Sequence, residues 1–402
     1  MITKLTLQLI FVLTCLCHAQ QTIDTTLTHA RVQREYLLYI PVAYSADTPT
    51  PLLINFHGLN QFRDGFMEIA DFRSIANTTG IILVYPQALP SMRDGDSRWN
   101  CGYQHGAHPD DIGFTEAMID TIASMYNIDQ TRVYASGYSN GGYMCQAAAC
   151  YLNERIAAIA PVKGSMRDFT RAKYEHLPLP PTPVLMINNT GDGKVSYGGA
   201  DGNLSIRDVI QFWVDSNNCD ADADSTRLGE IDEDDDVVVD HIVYSSGDNG
   251  VNVELILEKV NIHNMQNDGH SYPKSSERSP WYFDSPTEVW RFLSRYDING
   301  LIEPREVEFS DDFTNQDFRL LQNFPNPFNQ TTSITFTLKS PGNVNLSIFD
   351  VLGNDVEVLL NHRMNAGSST KDFFAEDLPN GIYFAKLTSK NGSQVRKMVL
   401  LR

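Results

Sequence analysis

The chain has 402 residues and a formal net charge of −19, with 50 acidic and 31 basic side chains. This length predicts two or three domains rather than one, and the acidic excess excludes a typical nucleic-acid-binding protein, which needs a basic face. It suits a secreted protein that acts on neutral or polymeric material.

The N-terminus predicts a cleaved secretory signal peptide over residues 1–19. Lys4 precedes an apolar stretch over residues 5–16, and Ala19 is a small residue at a plausible cleavage point. The apolar stretch is too short to span a bilayer, and no other segment qualifies as a transmembrane helix. A lipoprotein signal that ends at Cys15 is the alternative.

Four of the six cysteines remain after such a cleavage, and an even number in an exported protein predicts two disulfides. Cys145 and Cys150 lie about 7.5 Å apart along one predicted helix and on different faces, which is too far to bridge. We therefore expect the pairs Cys101–Cys145 and Cys150–Cys219, with buried free thiols as the alternative. The cysteines lack the histidine spacing of a metal site, and the acidic run over 230–236 lacks that of a calcium loop, so we expect no metal and no cofactor.

From about residue 33 to 300, apolar strands alternate with helical stretches, which predicts a mostly parallel sheet covered by helices on both faces. The predicted strands are Glu35–Tyr39, Leu52–Phe56, Ile81–Tyr85, Val133–Ser136, Ala157–Pro161, Val184–Asn188 and Val253–Val260. The predicted helices are Phe66–Asn77, Asp111–Met125, Gly142–Leu152, Leu204–Ser216 and Pro286–Tyr296. We assign residues 20–300 to this α/β domain.

The last quarter of the chain has a different pattern. Residues 301–318 are polar and acidic without a clear period, which predicts a linker. Residues 319–402 contain short strands of alternating hydrophobicity between Gly, Asn and Pro turns, and this predicts a small β-sandwich. The predicted strands are Ser333–Leu338, Asn343–Phe349, Lys371–Phe374, Gly381–Thr388 and Gln394–Leu401.

The hexapeptide over residues 137–142 has the Gly-x-Ser-x-Gly pattern of a nucleophile elbow. A strand precedes Ser139 and a helix rich in small residues follows it, which is the order that the motif requires. A tight strand-to-helix turn exposes the serine hydroxyl, so Ser139 is the predicted nucleophile. A surface loop of Gly and Ser is the alternative.

A serine nucleophile needs a base, and the base needs an acid that orients it. In α/β-hydrolases the order along the chain is serine, acid, histidine, each on a loop after a strand. Asp192 follows the strand over 184–188 and is the predicted acid. His270 follows the strand that ends near residue 260 and is the predicted base. The competitors are His263 for the base, with Asp168 and Asp268 for the acid.

The oxyanion of the tetrahedral intermediate needs two backbone N–H donors. The residue after the nucleophile, Asn140, supplies one. The turn that starts at His57 after a buried strand supplies the other, and we assign it to Leu59. His57 is then a structural residue of that turn.

Residues 33–297 resemble the secreted esterases that comprise polyhydroxybutyrate depolymerases and the feruloyl and acetylxylan esterases of carbohydrate esterase family 1. The resemblance rests on the order of motifs along the chain: an opening strand over 34–41, His57-Gly58, Tyr85-Pro86, Trp99-Asn100, the run over 110–114, the elbow over 139–142, the loop over 269–273 and a closing helix over 287–292. It implies the triad Ser139, Asp192 and His270. The chain departs from the family at Asn267-Asp268-Gly269, where two or three glycines are usual.

Residues 319–402 resemble the C-terminal sorting domain of the type IX secretion system. The motifs lie over residues 323–329, 348–353, 378–383 and 397–402. The resemblance implies an export signal that the type IX machinery reads. A carbohydrate-binding module is the alternative, but this region has no Trp.

The sequence thus predicts a secreted serine esterase that hydrolyses feruloyl or acetyl esters of plant polysaccharides through an acyl-enzyme. A polyhydroxyalkanoate depolymerase is the nearest alternative, and a catalytically dead adhesin on the same fold is an alternative of another class. A peptidase is disfavoured because no insertion is long enough for a cap. The candidate substrate-binding residues, each equally explained by packing, are Tyr138, Tyr103, Trp281, Tyr143 and Tyr282.

Overall fold

A computed structural model describes most of the chain from residue 20 onward. The residues outside the description are 1–19, 92–93, 103–107, 201, 229–236, 261–271, 274–283, 303–317, 322, 324–325, 327, 352, 376–377, 391 and 401–402. The signal peptide, the acidic run and most of the linker predicted above therefore lie outside the described residues. No helix of the described part is long and apolar enough to cross a membrane.

The first part of the chain forms one ten-stranded sheet. In chain order its strands are β1 (Gln21–His29), β2 (Val32–Ile40), β3 (Thr50–Phe56), β4 (Ile82–Pro86), β5 (Ile128–Tyr138), β6 (Ala158–Val162), β7 (Val184–Asn189), β8 (Asp224–Leu228), β9 (Val237–Tyr244) and β10 (Val253–Val260). Their order across the sheet is β1-β2-β4-β3-β5-β6-β7-β10-β9-β8. The strands from β4 to β10 in this order are parallel, and antiparallel strands close both edges.

Helices cover both faces of this sheet. They are α1 (Arg63–Ile69), α2 (Arg73–Thr79), α3 (Asp111–Met125), α4 (Asn140–Tyr151), α5 (Asp168–Tyr174), α6 (Ile206–Ser216) and α7 (Ser285–Leu293). Helices α3, α4 and α6 share one apolar core with the sheet, and α1, α2 and α7 share the other. Strand β3 is buried at every position, as expected for a parallel strand between two helical layers. The predicted α/β-hydrolase fold class is confirmed.

The boundaries differ from the sequence prediction at several places. The single helix predicted over 66–77 is two helices, because the chain leaves helical geometry at Ala70 and the Asp71 carboxylate accepts a hydrogen bond from the Arg73 N–H that starts α2. Four further elements, β1, β8, β9 and the short α5, were not predicted from the sequence. Strand β1 lies at the sheet edge and β8 at the opposite edge, and both are mostly exposed. Such strands carry little apolar signal.

The C-terminal region has its own architecture. Its strands are β13 (Phe318–Leu320), β14 (Thr331–Leu338), β15 (Gly342–Phe349), β16 (Asp355–Met364), β17 (Gly367–Phe374), β18 (Gly381–Ser389) and β19 (Gly392–Leu400); the short β11 (Tyr296–Asp297) and β12 (Gly300–Leu301) form a hairpin before them. The seven strands from β13 to β19 form two antiparallel sheets, β13-β14-β17 and β16-β15-β18-β19, around one shared apolar core. This arrangement is the predicted β-sandwich, with β13 and β16 added to the strands that the pattern predicted.

Candidate active site

Ser139 occupies a strained turn between β5 and α4. Its backbone has φ 53° and ψ −116°, a combination that costs a non-glycine residue about 1–3 kcal/mol. The turn is held because the Ser139 N–H donates to the Val162 carbonyl at 2.9 Å, and the Ser139 carbonyl accepts from the Gly142 N–H at 2.8 Å. The predicted strand-to-helix elbow is therefore present at Ser139.

The glycines on either side of Ser139 are required by close packing. A Cβ on Gly137 would lie 2.6 Å from the Gly141 carbonyl oxygen, and a Cβ on Gly141 would overlap the Phe56 carbonyl. Both contacts are to backbone, which cannot move aside as a side chain can. The elbow is thus packed directly against the end of β3, the strand that leads into the His57 turn.

The side chain of Asn140 also has a structural role, in addition to the backbone N–H that the sequence indicated. Its side chain is buried, and its Oδ1 accepts a 2.6 Å hydrogen bond from the Trp99 N–H. The Trp99 indole Nε1–H in turn donates to the His57 carbonyl at 2.9 Å. The Trp99 segment therefore connects the residue after the nucleophile with the turn that follows β3.

The His57 ring is buried and neutral. Its Nε2 accepts hydrogen bonds from the Ala88 N–H and the Gln87 amide, both at 3.0 Å, so Nδ1 carries the proton and donates to the Gly58 carbonyl at 2.7 Å. Burial lowers the pKa of His57 to about 4, although the hydrogen bond to Gly58 opposes the shift. His57 is therefore placed as a structural residue of the turn, and an imidazole in this state is no candidate for the general base.

Leu59 and Asn140, the predicted oxyanion donors, follow the neighbouring parallel strands β3 and β5. Carboxyl ends of parallel strands meet at one edge of the sheet. Within the described part of the chain, neither of the two N–H groups donates a hydrogen bond to another protein group.

A buried ion pair is hydrogen-bonded to the backbone of the Trp99 segment. Arg34 of β2 and Asp111 of α3 are almost fully buried and pair at 2.6 Å. The second Asp111 oxygen accepts from the Asn100 N–H at 2.7 Å. Burial raises the pKa of the Asp111 carboxyl, and the Arg34 guanidinium opposes that rise. The sequence indicated Trp99-Asn100 only through a resemblance, and Asp111 also as the start of a predicted helix. The structure shows that Asn100 and Asp111 are hydrogen-bonded to each other.

Asp192, the predicted acid, lies in the loop after β7 and is buried to 7% exposure. Its Oδ1 accepts hydrogen bonds from the Lys194 and Val195 N–H groups, both at 2.8 Å. These bonds hold the carboxylate at the carboxyl edge of the sheet, the edge at which Ser139 also lies.

The predicted base His270 lies outside the described residues, as do its rival His263 and the competing acid Asp268. The candidate substrate residues Tyr103, Trp281 and Tyr282 also lie outside them. Tyr138 is described and is 7% exposed, with its ring centroid 5.8 Å from that of Tyr272. Most of its surface is therefore used in packing.

Two other residues weighed at the sequence level have clear places in the fold. Asp168 is the first residue of α5, the helix that follows β6. The Tyr143 ring lies under the Arg167 guanidinium, 4.7 Å from the ring centroid, and is largely buried.

The expected disulfides are absent. Cys101, Cys145, Cys150 and Cys219 are all free thiols. The Cys101 sulfur is 3.5 Å from the Trp99 carbonyl oxygen, and the Cys219 sulfur is 3.9 Å from that of Val251. The Cys101 and Cys219 thiols thus each make a weak hydrogen bond to the backbone. The expected pairing of Cys101 with Cys145 and Cys150 with Cys219 was wrong for this structure.

The central strands of the sheet are parallel, helices cover both of its faces, and a strained serine lies between a strand and a helix. These features define the α/β-hydrolase class. Comparison with known families agrees with this class. Residues 111–177, which include the elbow, match the family model described as acetyl xylan esterase (AXE1).

Known proteins similar to this chain are esterases and a depolymerase. The chain is 25% identical over 267 residues to a bifunctional acetylxylan esterase/xylanase of Neocallimastix patriciarum, covering 66% of this chain and 34% of that protein. It is 28% identical over 185 residues to feruloyl esterase B of Piromyces equi, covering 46% and 34%. It is 29% identical over 187 residues to poly(3-hydroxyalkanoate) depolymerase C of Paucimonas lemoignei, covering 45% and 43%. The chain spans about a third of the length of the first two relatives.

The β-sandwich matches a different kind of family. Residues 322–401 match the model described as secretion system C-terminal sorting domain. This match confirms the sorting domain predicted from the sequence and indicates that the protein is secreted.

Proposed function

We propose that this protein is a secreted serine esterase that hydrolyses carboxylic esters. The observation that carries the proposal is the strained Ser139 at the carboxyl end of β5 and the N-terminus of α4. A hydroxyl held in this position is accessible to a carbonyl carbon, and the positive end of the helix dipole favours the charge that develops there.

In the proposed mechanism, the Ser139 hydroxyl attacks the ester carbonyl and His270 accepts its proton. The N–H groups of Leu59 and Asn140 donate to the oxyanion. His270 then gives the proton to the leaving alcohol, and water hydrolyses the acyl-enzyme by the same steps. Asp192 holds the His270 tautomer and stabilises the imidazolium. The hydrogen bonds from Lys194 and Val195 to Asp192 support this role because they favour the ionised carboxylate.

We propose acetyl or feruloyl esters of plant polysaccharides as the substrates. The similarity to an acetylxylan esterase and a feruloyl esterase supports this class. A polyhydroxyalkanoate depolymerase is the second candidate, because the depolymerase relative is equally similar in sequence. A substrate panel of acetylated xylan, methyl ferulate and polyhydroxybutyrate film separates the three.

We also propose a division of labour along the chain. Residues 1–19 are the signal peptide, residues 20–300 the esterase domain, residues 301–318 the linker and residues 319–402 the sorting domain that the type IX secretion machinery recognises. Separate apolar cores in the two larger parts support the division.

The test is the variant Ser139→Ala, assayed with p-nitrophenyl acetate and with a fluorophosphonate probe. We expect kcat/KM to fall by about 10³-fold or more, with an unchanged melting temperature and no labelling. Absence of fluorophosphonate labelling in folded wild-type protein would favour the alternative, a catalytically dead adhesin or binding protein. If Ser139→Ala keeps the wild-type rate, another residue is the nucleophile.

A further inference from the structure

A buried ion pair crosses the strand that carries the predicted acid. Lys163 directly follows β6, Glu258 lies on β10, and the two side chains pair with no exposure to solvent. Strands β6 and β10 flank β7 in the sheet. The pair therefore joins the two neighbours of β7 close to the point where β7 ends and the Asp192 loop begins.

Glu258 is bonded to that loop through side chain and backbone. Its Oε2 accepts a hydrogen bond from the Asn189 amide at 3.0 Å, and its carbonyl accepts from the Thr190 N–H at 2.9 Å. The Asn189 Oδ1 in turn accepts from the Gly191 N–H at 2.6 Å. These bonds fix the conformation of the three residues that precede Asp192.

Lys163 is held on the other side of the same strand. Its N–H donates to the Ile187 carbonyl at 2.7 Å, and its backbone has a positive φ of 49°. A lysine in this left-handed region is uncommon and strained. The side chain is thereby directed from the end of β6 across β7 to Glu258.

Packing alone does not explain the pair. Replacing a buried ion pair by apolar side chains of similar size is often neutral or stabilising. Glu258 Oε1 is also buried without a hydrogen-bond partner in the described part of the chain. A site that needed only stability would be better served by Leu or Met.

The pair is electrostatically coupled to the predicted acid. Burial lowers the pKa of Lys163 and raises the pKa of Glu258, and the charge of Asp192 acts on both groups. Asp192 is thus the charged group that the two members of the pair share as a neighbour. The positive charge of Lys163 thus lies near two carboxyl groups, those of Glu258 and Asp192.

We propose that Lys163 and Glu258 are positioning residues for Asp192, a proposal that rests on the function proposed above. Glu258 orders the loop through Asn189, and Lys163 places a positive charge beside the Glu258 and Asp192 carboxyl groups. Neither residue is assigned contact with substrate. Their effect reaches the reaction through Asp192 and the histidine that it orients.

The test uses full-length protein and two readouts, the rate of Ser139 labelling by a fluorophosphonate and the pH profile of kcat/KM for p-nitrophenyl acetate. The double variant Lys163→Met with Glu258→Leu removes charge and acceptor together, while Lys163→Met with Glu258→Gln keeps an acceptor for Asn189. The matched control is Lys259→Met, at the next position of β10, where the lysine is half exposed and pairs with Asp240.

We expect the Met/Leu variant to stay folded while labelling and kcat fall about 10- to 100-fold and KM changes less than about threefold. The Met/Gln variant should recover part of the rate, and Lys259→Met should match wild type. The single variant Glu258→Gln removes one negative charge and keeps Lys163 beside Asp192. The pKa of the catalytic base should therefore fall, and the acid limb of the pH profile should move to lower pH.

A folded Met/Leu variant with wild-type labelling, kcat and pH profile overturns the inference. If that variant does not fold, Glu258→Gln decides, because an unchanged acid limb and labelling rate overturn it equally. Unlabelled wild-type protein would instead refute the proposed function, and the inference with it.

Discussion

Replacing Asn140 by alanine tests whether its side chain matters beyond the backbone N–H. The change keeps the N–H that is proposed to bind the oxyanion. It removes the Oδ1 that accepts the 2.6 Å hydrogen bond from the buried Trp99 N–H. A role of the backbone alone predicts no effect, whereas the structure predicts a loss of both stability and activity.

The expected size follows from the hydrogen bonds that are lost. A buried N–H left without a partner costs about 1–3 kcal/mol, and each kcal/mol shifts the melting temperature of a domain of this size by about 2–4 °C. We therefore expect the melting temperature to fall by about 2–12 °C. The Trp99 indole also holds the His57 carbonyl, so the turn that carries Leu59 should loosen. Complete loss of an oxyanion donor costs about 10²- to 10³-fold in kcat, and a displaced donor should cost about tenfold.

The assay combines thermal unfolding followed by circular dichroism with steady-state kinetics on p-nitrophenyl acetate. Asn127→Ala is the matched control, because Asn127 is exposed and its amide donates one hydrogen bond to the Ala46 carbonyl at 2.8 Å. Its free energy of unfolding should change by less than about 0.5 kcal/mol. An Asn140→Ala protein with wild-type melting temperature and kcat would refute the link between Trp99 and the oxyanion turn.

Two further predictions concern the elbow at Ser139 and the turn that follows β3. Gly141→Ala should prevent folding, because its Cβ would overlap the Phe56 carbonyl, whereas Gly65→Ala, in open space within α1, should fold and gain up to about 1 kcal/mol in stability. Soluble expression and circular dichroism of the two variants check this prediction. A folded, active Gly141→Ala protein would contradict it. His57 should make stability depend on pH. Its pKa is about 4 in the folded state and about 6.5 in the unfolded state, so the unfolded chain binds the proton first as pH falls. The contribution of neutral His57 to the free energy of unfolding is therefore intact above pH 6.5, and about 3 kcal/mol of that free energy is lost as the pH falls to 4. Urea unfolding of wild type and His57→Gln across this range measures it, and parallel pH curves for the two proteins would show the assignment to be wrong.

Much of the catalytic fold was predictable because its signals are local. The apolar runs of β3 and β7 and the amphipathic stretch of α6 are each complete within a few turns or pleats. Edge strand β1 was missed because one face is solvated and its residues are mostly polar. The break between α1 and α2 was missed because the helical spacing of apolar residues continues from Phe66 to Asn77, and no glycine or proline marks the break.

The disulfide prediction failed for a related reason. Compartment and cysteine count establish that bridges are possible, but a bridge also needs two sulfur atoms in one narrow geometry. That geometry depends on how loops pack, as at Cys101, which lies in the Trp99 segment.

The candidate site divides in the same way. Ser139 was identifiable because the elbow is a contiguous motif whose glycines are required by short-range packing. Lys163 and Glu258 are 95 positions apart, and Arg34 and Asp111 are 77 apart. Nothing in the residues around any of these four predicts its partner.

The sequence by itself determined the α/β alternation, the elbow at Ser139 and the C-terminal sorting domain. Hydrophobic period, turn chemistry and contiguous motifs are properties of neighbouring residues, so the sequence expresses them directly. Only the tertiary structure decided that Trp99 joins Asn140 to His57, and that Lys163 and Glu258 meet across β7. A buried polar side chain is stable only beside its partner, and the order of strands in the sheet determines which partner that is.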